Sequence, residues 1–279
     1  MTVKNQFQYS LNARFPNIEQ LANNFILNNF NNVFKGNATL ENQLYHTVSL
    51  SYHKFSLFRN LNIHLNSNFN KKVEHFNNVT QLQGINQYST PVLFDLPEHS
   101  WSINGAISKK INTIRYKLHS TFNYNDFYQV LNDDTHLNIS KSVSSTLSAE
   151  TFFKKLPNIE IGYKRDFNAY RFSNTISNFE NDGFFAILQY DFLRDFIFKA
   201  DYAFDRYLNK NNNTNNTFDT ANASLFYQLE DSPWGFEINA TNLFNTRFKQ
   251  QNSFNSFLIS DSKTFILPTI VMFKVAYKL

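Results

Sequence analysis

The last nine residues alternate between two kinds of side chain. One parity carries Val271, Phe273, Val275, Tyr277 and Leu279, and the other carries Met272, Lys274, Ala276 and Lys278. Successive side chains of a β-strand point to opposite faces, so this period of two predicts a strand with one apolar face and one wettable face. A helix would carry residues two apart to opposite sides of its axis, which excludes a one-sided helix here.

The same alternation recurs along the chain. Residues 6–15, 114–125 and 196–205 place mostly aromatic and aliphatic side chains on one parity and polar or charged side chains on the other. Repetition of this pattern predicts an all-β protein built from half-buried strands.

Composition indicates what the apolar faces contact. Aromatic residues make up 17% of the chain, including 32 Phe and 14 Tyr, while charged residues make up only 17% and the mean hydropathy is -0.43. A lipid-facing wall around a hydrated lumen has this combination. No run of about 18 apolar residues exists, which excludes a helical membrane span. We therefore predict an antiparallel up-and-down transmembrane β-barrel of about twelve strands, with residues 1–279 as one barrel domain.

Breaker residues divide this barrel into strands and links. The predicted strand spans are 3–15, 42–54, 60–76, 80–108, 113–125, 134–152, 158–170, 184–192, 196–208, 217–229, 235–246 and 265–279. Short links at 54–60, 109–112, 153–157, 193–195 and 230–234 alternate with longer links at 16–41, 126–133, 171–183, 209–216 and 246–264. Pro91 and Pro97 interrupt the pattern, so we expect residues 79–96 to form an extended segment above the membrane.

Two local motifs resemble a known family. The first comprises Arg14, Pro16, Leu21, Gly36, Asn37 and Leu40, and it resembles the Arg, Pro, Leu and Gly-Asn-Pro-x-Leu-x-Pro-Glu signature of Bacteroidetes-type TonB-dependent receptors and related outer-membrane β-barrel proteins. Ala38, Asn42 and Gln43 stand where that signature has its two prolines and its final Glu. The second motif, Asn242, Leu243, Phe244 and Asn245, resembles the Asn-Leu-Phe-Asn stretch before the last loop and strand of these receptors.

The resemblance implies the C-terminal half of a barrel of about 22 strands in the bacterial outer membrane, with residues 271–279 as its closing strand. Such receptors take up a scarce ligand, such as a siderophore, vitamin, glycan or peptide, with energy relayed by TonB. No signal peptide or plug is recognisable before Val3, so we expect the partners to be outer-membrane lipid and the remainder of the receptor, with TonB reached only through a separate plug. The alternative is a complete small barrel that acts as a passive pore or a structural surface protein.

The polar parity shows no pattern typical of a chemical site. The chain has no Cys, and its seven histidines, at 46, 53, 64, 75, 99, 119 and 136, have no spacing that defines a metal centre. A Ser, His and Asn constellation like that of a barrel phospholipase would be unspecific, because Ser and Asn abound. Asp133 and Asp134 indicate a turn, while Asp201 and Asp205 indicate lumen charges balanced by Lys199 and Arg206. We predict no enzyme activity, no cofactor, no metal and no nucleic-acid partner, since the basic residues form no run.

Neighbouring residues on one predicted strand distinguish the two faces. If Leu118 faces the middle of a bilayer, Leu118→Arg should cost about 2–4 kcal/mol. Lys117 has the opposite parity, so Lys117→Asn should cost little.

Overall fold

A computed structural model describes residues 2–173, 175–211, 213–254 and 259–278. Strands make up 77% of the structure and helix 1%, so the prediction of an all-β protein is confirmed. The helix within the described residues is α1 (Ile18–Leu21). No helix in these ranges is long and apolar enough to cross a membrane.

Twelve strands form one antiparallel meander, in which each strand pairs with the next. They are β1 (Thr2–Arg14), β4 (Gln43–Ser56), β5 (Leu61–Gln83), β7 (Glu98–Ile111), β8 (Ile114–Leu131), β9 (Asp134–Thr151), β10 (Asn158–Phe172), β11 (Thr175–Phe192), β12 (Phe196–Asn209), β13 (Thr214–Gln228), β14 (Trp234–Thr241) and β17 (Ile270–Tyr277). Within the described ranges β1 pairs only with β4 and β17 only with β14, so these two meander strands are the edges of a large, open, mostly antiparallel sheet.

The two ends of the meander differ, and we name them the tight rim and the extended rim. The tight rim carries the links at 57–60, 112–113, 152–157, 193–195 and 229–233. Six additional elements lie at the extended rim, namely α1, β2 (Phe25–Asn29), β3 (Asn32–Lys35), β6 (Asn86–Phe94), β15 (Phe248–Phe254) and β16 (Ile259–Phe265). The links across the tight rim match the five predicted short links closely.

The predicted single span 80–108 is wrong, because it contains the end of β5, all of β6 and most of β7. β5 continues past the edge of β7 and pairs with β6 through a turn at Gly84, whose φ is 62°. β3 pairs with β6 only as far as Ser89, so Pro91, which has no N–H to donate, lies on a free edge. The extended segment expected at 79–96 is therefore largely this hairpin.

Several strands continue beyond their predicted ends at the extended rim. β8 reaches Leu131 and β11 begins at Thr175, inside two of the predicted long links. The apolar alternation fades there, but the backbone ladder continues. Asn132 and Asp133, with φ of 49° and 72°, form the tight turn between β8 and β9, which confirms the interpretation of Asp133 as turn chemistry.

The strand register keeps the side chains of one parity on each face of the meander, so one face is mostly polar and the other mostly apolar. Lys117 of β8 lies opposite Ser108 of β7 and Ser148 of β9, and the same parity continues from strand to strand. We call this the polar face and the opposite one the apolar face. The predicted closing-strand residues Val271, Phe273, Val275 and Tyr277 lie on the apolar face of β17, and Leu279 lies outside the described residues.

Candidate functional site

The apolar face is uncovered in the part of the chain that the structure describes. The exposed fractions of Phe7 on β1, Leu147 on β9 and Phe273 on β17 are 70%, 57% and 65%. Exposed aromatic and aliphatic side chains therefore continue from one edge of the sheet to the other. An exposed apolar surface of this extent is typical of an interaction site, with a membrane or with another protein.

Two partial rows of aromatic side chains lie on this face, one on β11, β12, β13, β14 and β17 and the other on β5, β7 and β8. Near the tight rim, ring contacts with centroid distances of 4.7–6.3 Å involve Tyr190, Phe192, Phe196, Tyr227, Trp234, Phe236, Phe273 and Tyr277. Toward the extended rim, Phe69, Trp101 and Tyr124 lie side by side on β5, β7 and β8. Charged side chains such as Asp126 follow beyond this second row.

The polar face is linked across strands by side-chain hydrogen bonds. One row joins four strands: Asn12 donates to Thr47 at 3.2 Å, Thr47 donates to Asn70 at 2.8 Å, and Asn70 donates to Ser100 at 3.3 Å. These uncharged groups satisfy one another and leave the face wettable.

Lys117 connects two carboxylates on this face. Its Nζ lies 2.7 Å from Glu150 and 3.1 Å from Glu160, on the next two strands. Removing Lys117 would leave two carboxylates facing each other without their shared cation. Lys117 is therefore not the neutral position that the sequence suggested.

Two of the histidines form a cross-strand pair that no motif predicts. His53 and His64 face each other on β4 and β5 with ring centroids 6.3 Å apart, and both lie on the polar face. Residues 53 and 64 are equidistant from the turn at 57–60, which is the sequence signal for this pairing. Among the described residues no group of three or more His, Cys, Asp or Glu side chains is placed to hold a metal ion.

Asp201 and Asp205 each contact a different partner. Asn222 donates to Asp201 at 2.8 Å, and Lys249 of β15 lies 3.1 Å from Asp205. Arg206, expected as a balancing charge, points to the apolar face and donates to Asn215 at 3.1 Å.

The β15–β16 hairpin packs against the polar face at the extended rim. Phe248 of β15 contacts a buried cluster of Phe179, Tyr207 and Phe218. Tyr207 donates to Asp261 of β16, and burial together with this bond raises the pKa of the Tyr207 hydroxyl. The last long link therefore lies over the polar face rather than extending away from it.

Glu98 is a buried carboxylate on the extended-rim side of the second aromatic row. Its side chain is 3% exposed, and it lies 2.9 Å from both Lys72 and His75 while accepting from the N–H of Tyr128 at 2.9 Å. A register shift where β5 leaves β4 brings Lys72 and His75 to the same face. Burial raises the pKa of Glu98, but the bonds from His75 and Lys72 outweigh it, so the pKa lies below the ordinary value.

The first motif comes together beside α1 at the extended rim. A Cβ at Gly36 would overlap the carbonyl oxygens of Glu19 and Ala22, so only glycine fits there. Asn37 donates from its backbone to Gln20 at 2.6 Å and from its side chain to Pro91 at 3.1 Å, and Leu40 is buried. Arg14 ends β1, Pro16 follows it, and Leu21 ends α1. These residues hold the long link between β1 and β4 against β6.

Asn242 joins the two ends of the last long link. Its φ is 51°, and its side chain donates to the carbonyls of Thr246 and Leu267 at 2.9 and 2.8 Å while accepting from the Thr246 N–H. Leu243 and Phe244 are exposed, and Asn245 has a φ of 54° in the following turn. The second motif is thus a structural clamp.

A scan against protein-family models found no match, and a search of curated proteins found none either. The class that the fold defines is an all-β protein with one large, mostly antiparallel sheet.

Asn242→Ala tests the clamp. It removes three side-chain hydrogen bonds and places alanine in a left-handed conformation, so the free energy of unfolding should fall by about 2–4 kcal/mol. Asn245→Ala is the matched control, with a similar φ but no side-chain bond among the described contacts, and should cost about 1–2 kcal/mol. Urea unfolding in micelles measures both, and equal losses would contradict the clamp.

Glu98→Gln tests the buried carboxylate. At pH 7 it should lower the free energy of unfolding by about 1–3 kcal/mol, because bonds to charged groups are lost. The folded pKa lies below the unfolded value of 4.5, so ionised Glu98 stabilises the fold above that pH and this contribution disappears as the pH falls through the folded pKa. The difference from wild type should therefore shrink in acid. Glu237→Gln, which breaks a more exposed pair with Lys274, should cost about 1 kcal/mol or less.

Proposed function

We propose that this chain is an outer-membrane β-barrel segment of a TonB-dependent receptor that takes up a scarce ligand, such as a siderophore, vitamin, glycan or peptide. One observation carries the membrane part of the proposal: an uncovered apolar face continues over twelve strands, with a polar face behind it. Lipid covers such a face in membrane barrels, and water fills the polar side.

The height of the apolar region supports contact with lipid. On β8, the apolar face from Ile114 to Tyr124 carries no charge. This interval of about ten residues, at about 3.3 Å each, spans about 33 Å along the strand, and a strand tilt of 35–45° reduces it to about 25 Å. That agrees with the height of the apolar band of outer-membrane barrels, and each of the two partial aromatic rows would form part of one interfacial girdle.

The receptor part of the proposal rests on the two motifs. Each motif holds a long link at the extended rim, where a receptor would present its ligand-binding loops. The remaining partners would be the rest of the barrel and a plug, with TonB contacting the plug.

A complete small barrel that acts as a passive pore is the second candidate. The meander has an even number of strands, so β1 and β17 run in opposite directions and both have their polar parity on the same face. These edges therefore meet the requirements for antiparallel closure.

Leu118→Arg tests the membrane proposal. An arginine facing mid-bilayer should lower the free energy of unfolding in lipid vesicles by about 2–4 kcal/mol, because its charge enters the hydrocarbon. His119→Arg introduces the same group at the next residue, on the polar face, and should cost about 1 kcal/mol or less. Similar losses for both variants would contradict lipid contact by the apolar face.

Cysteine pairs test whether the edges meet. The chain has no Cys, so polar-face positions Gln6, Gln8 and Ser10 on β1 can be paired in turn with Met272, Lys274 and Ala276 on β17. For a segment of a larger receptor we expect no disulfide in any pairing and no defined channel in planar bilayers. One preferred register with stepwise conductance would favour the passive pore. Ser51→Cys with Asn66→Cys, which face each other in β4 and β5, is the positive control.

A further inference from the structure

A groove lies on the polar face where β1, β4 and β5 meet. It has a volume of about 700 Å³, and it is lined by Val3, Lys4, Asn5, Gln6, Ser51, Tyr52, His53, His64 and Asn66. We call it the Lys4 groove. The lining residues with the polar-face parity are one lysine, two histidines, Gln6, Ser51 and Asn66, and no carboxylate lines the groove.

The two imidazoles of the groove are held in place by asparagines of β5. His53 Nε2 lies 3.2 Å from Asn62 Oδ1, and His64 Nε2 lies 2.7 Å from Asn66 Nδ2. These bonds use one nitrogen of each ring. Asn66 donates to His64 Nε2, so the His64 ring carries its proton on Nδ1, which has no hydrogen bond within the described residues and can donate to a ligand. His53 Nε2 donates to Asn62 and holds that ring beside the groove.

Lys4 lies directly across from His53, in register on β1. It makes no ion pair within the described ranges, unlike Lys117 farther along the same face. Its ammonium group is therefore an uncompensated positive charge beside the two imidazoles.

Charge is unevenly distributed over the whole polar face. The five strands β1, β4, β5, β7 and β8 carry one carboxylate there, Glu98, and six cations: Lys4, Arg14, Lys72, Lys110, Arg115 and Lys117. The remaining seven strands carry three cations, Lys164, Lys199 and Lys274, and eight carboxylates: Asp134, Glu150, Glu160, Asp166, Asp191, Asp201, Asp205 and Glu237. The Lys4 groove lies in the positive half, where a negatively charged solute is attracted.

We propose that the Lys4 groove binds small oxyanions of the carboxylate or phosphate class. Lysine ammonium, imidazole N–H, amide and hydroxyl groups are the donors that such oxygens accept from, and bonds to charged donors such as Lys4 are the stronger ones. The groove is formed by three neighbouring strands of the sheet, so binding requires neither closure of the sheet nor a membrane.

Inorganic phosphate is the first probe and acetate the second, each titrated at pH 6.0 and constant ionic strength into the protein in neutral detergent micelles. NMR of the imidazole signals should show saturable shifts for His53 and His64, and none for His46, which lies on the apolar face and bonds Tyr9. Phosphate and acetate distinguish the two oxyanion classes.

Lys4→Gln should weaken phosphate binding at least fivefold. Lys54→Gln removes the same charge next to His53 but on the apolar face, so it should change binding less than twofold. His64→Gln is the second variant, and its phosphate binding is followed through the NMR signal of His53. Shifts that do not saturate, or equal losses in the two lysine variants, would show general ionic attraction and overturn the proposal. If the protein binds phosphate in micelles but does not insert into vesicles, the groove is supported while the proposed membrane function is contradicted.

Discussion

Every property of the two faces depends on the strand register. Side chains alternate with a period of two, so a slip of one residue between any two strands would exchange the faces of all the strands beyond it. A slip between β9 and β10 would carry Glu160 and Asp166 onto the uncovered face beside Leu147. Polar-face contacts oppose such slips, because the Lys117 pair with Glu160 and the row from Asn12 to Ser100 form only in one register. The polar residues therefore specify which residues form the apolar face.

The sequence predicts those parts of the fold whose pattern is local. β8 and β12 are recognisable because most of each strand alternates between apolar and polar side chains, and the turn at Asn132 and Asp133 is recognisable from its residue types. β15 and β16 were not predicted, since their position depends on Asp205, Tyr207 and Phe218, which are distant in sequence. Pairings across strands follow the same rule. The contact between His53 and His64 can be predicted because both residues are equally far from one turn. The contact of Lys117 with Glu160 spans three strands, so predicting it requires the register of both intervening strand pairs.

The two rims differ in the kind of connection that they carry. Short links at the tight rim leave little chain to order and hold neighbouring strands in register. The extended rim carries the insertions, and buried polar groups lie where they are attached: Gly36 and Asn37 beside α1, Glu98 against His75 of β5, which pairs with Phe94 of β6, and Asn242 at the base of the β15–β16 hairpin. Loops attached in this way can carry varied recognition surfaces without disturbing the register below them.

The two edge strands of the sheet have unpaired backbone groups, and the surrounding medium determines whether these can remain unpaired. β1 and β17 each present backbone N–H and C=O groups that no described residue pairs with. Water can satisfy these groups, but in hydrocarbon each unsatisfied group costs several kcal/mol, so an edge of eight or more residues would be prohibitive. If the apolar face contacts lipid, both edges must be paired there. The strand that pairs with either edge must also alternate, with its polar side chains on the face of Lys4 and Lys274. This condition is met whether β1 pairs with β17 or further strands complete the barrel. The two cases differ in the number of strands that enclose the polar face, and therefore in the width of the space next to the Lys4 groove.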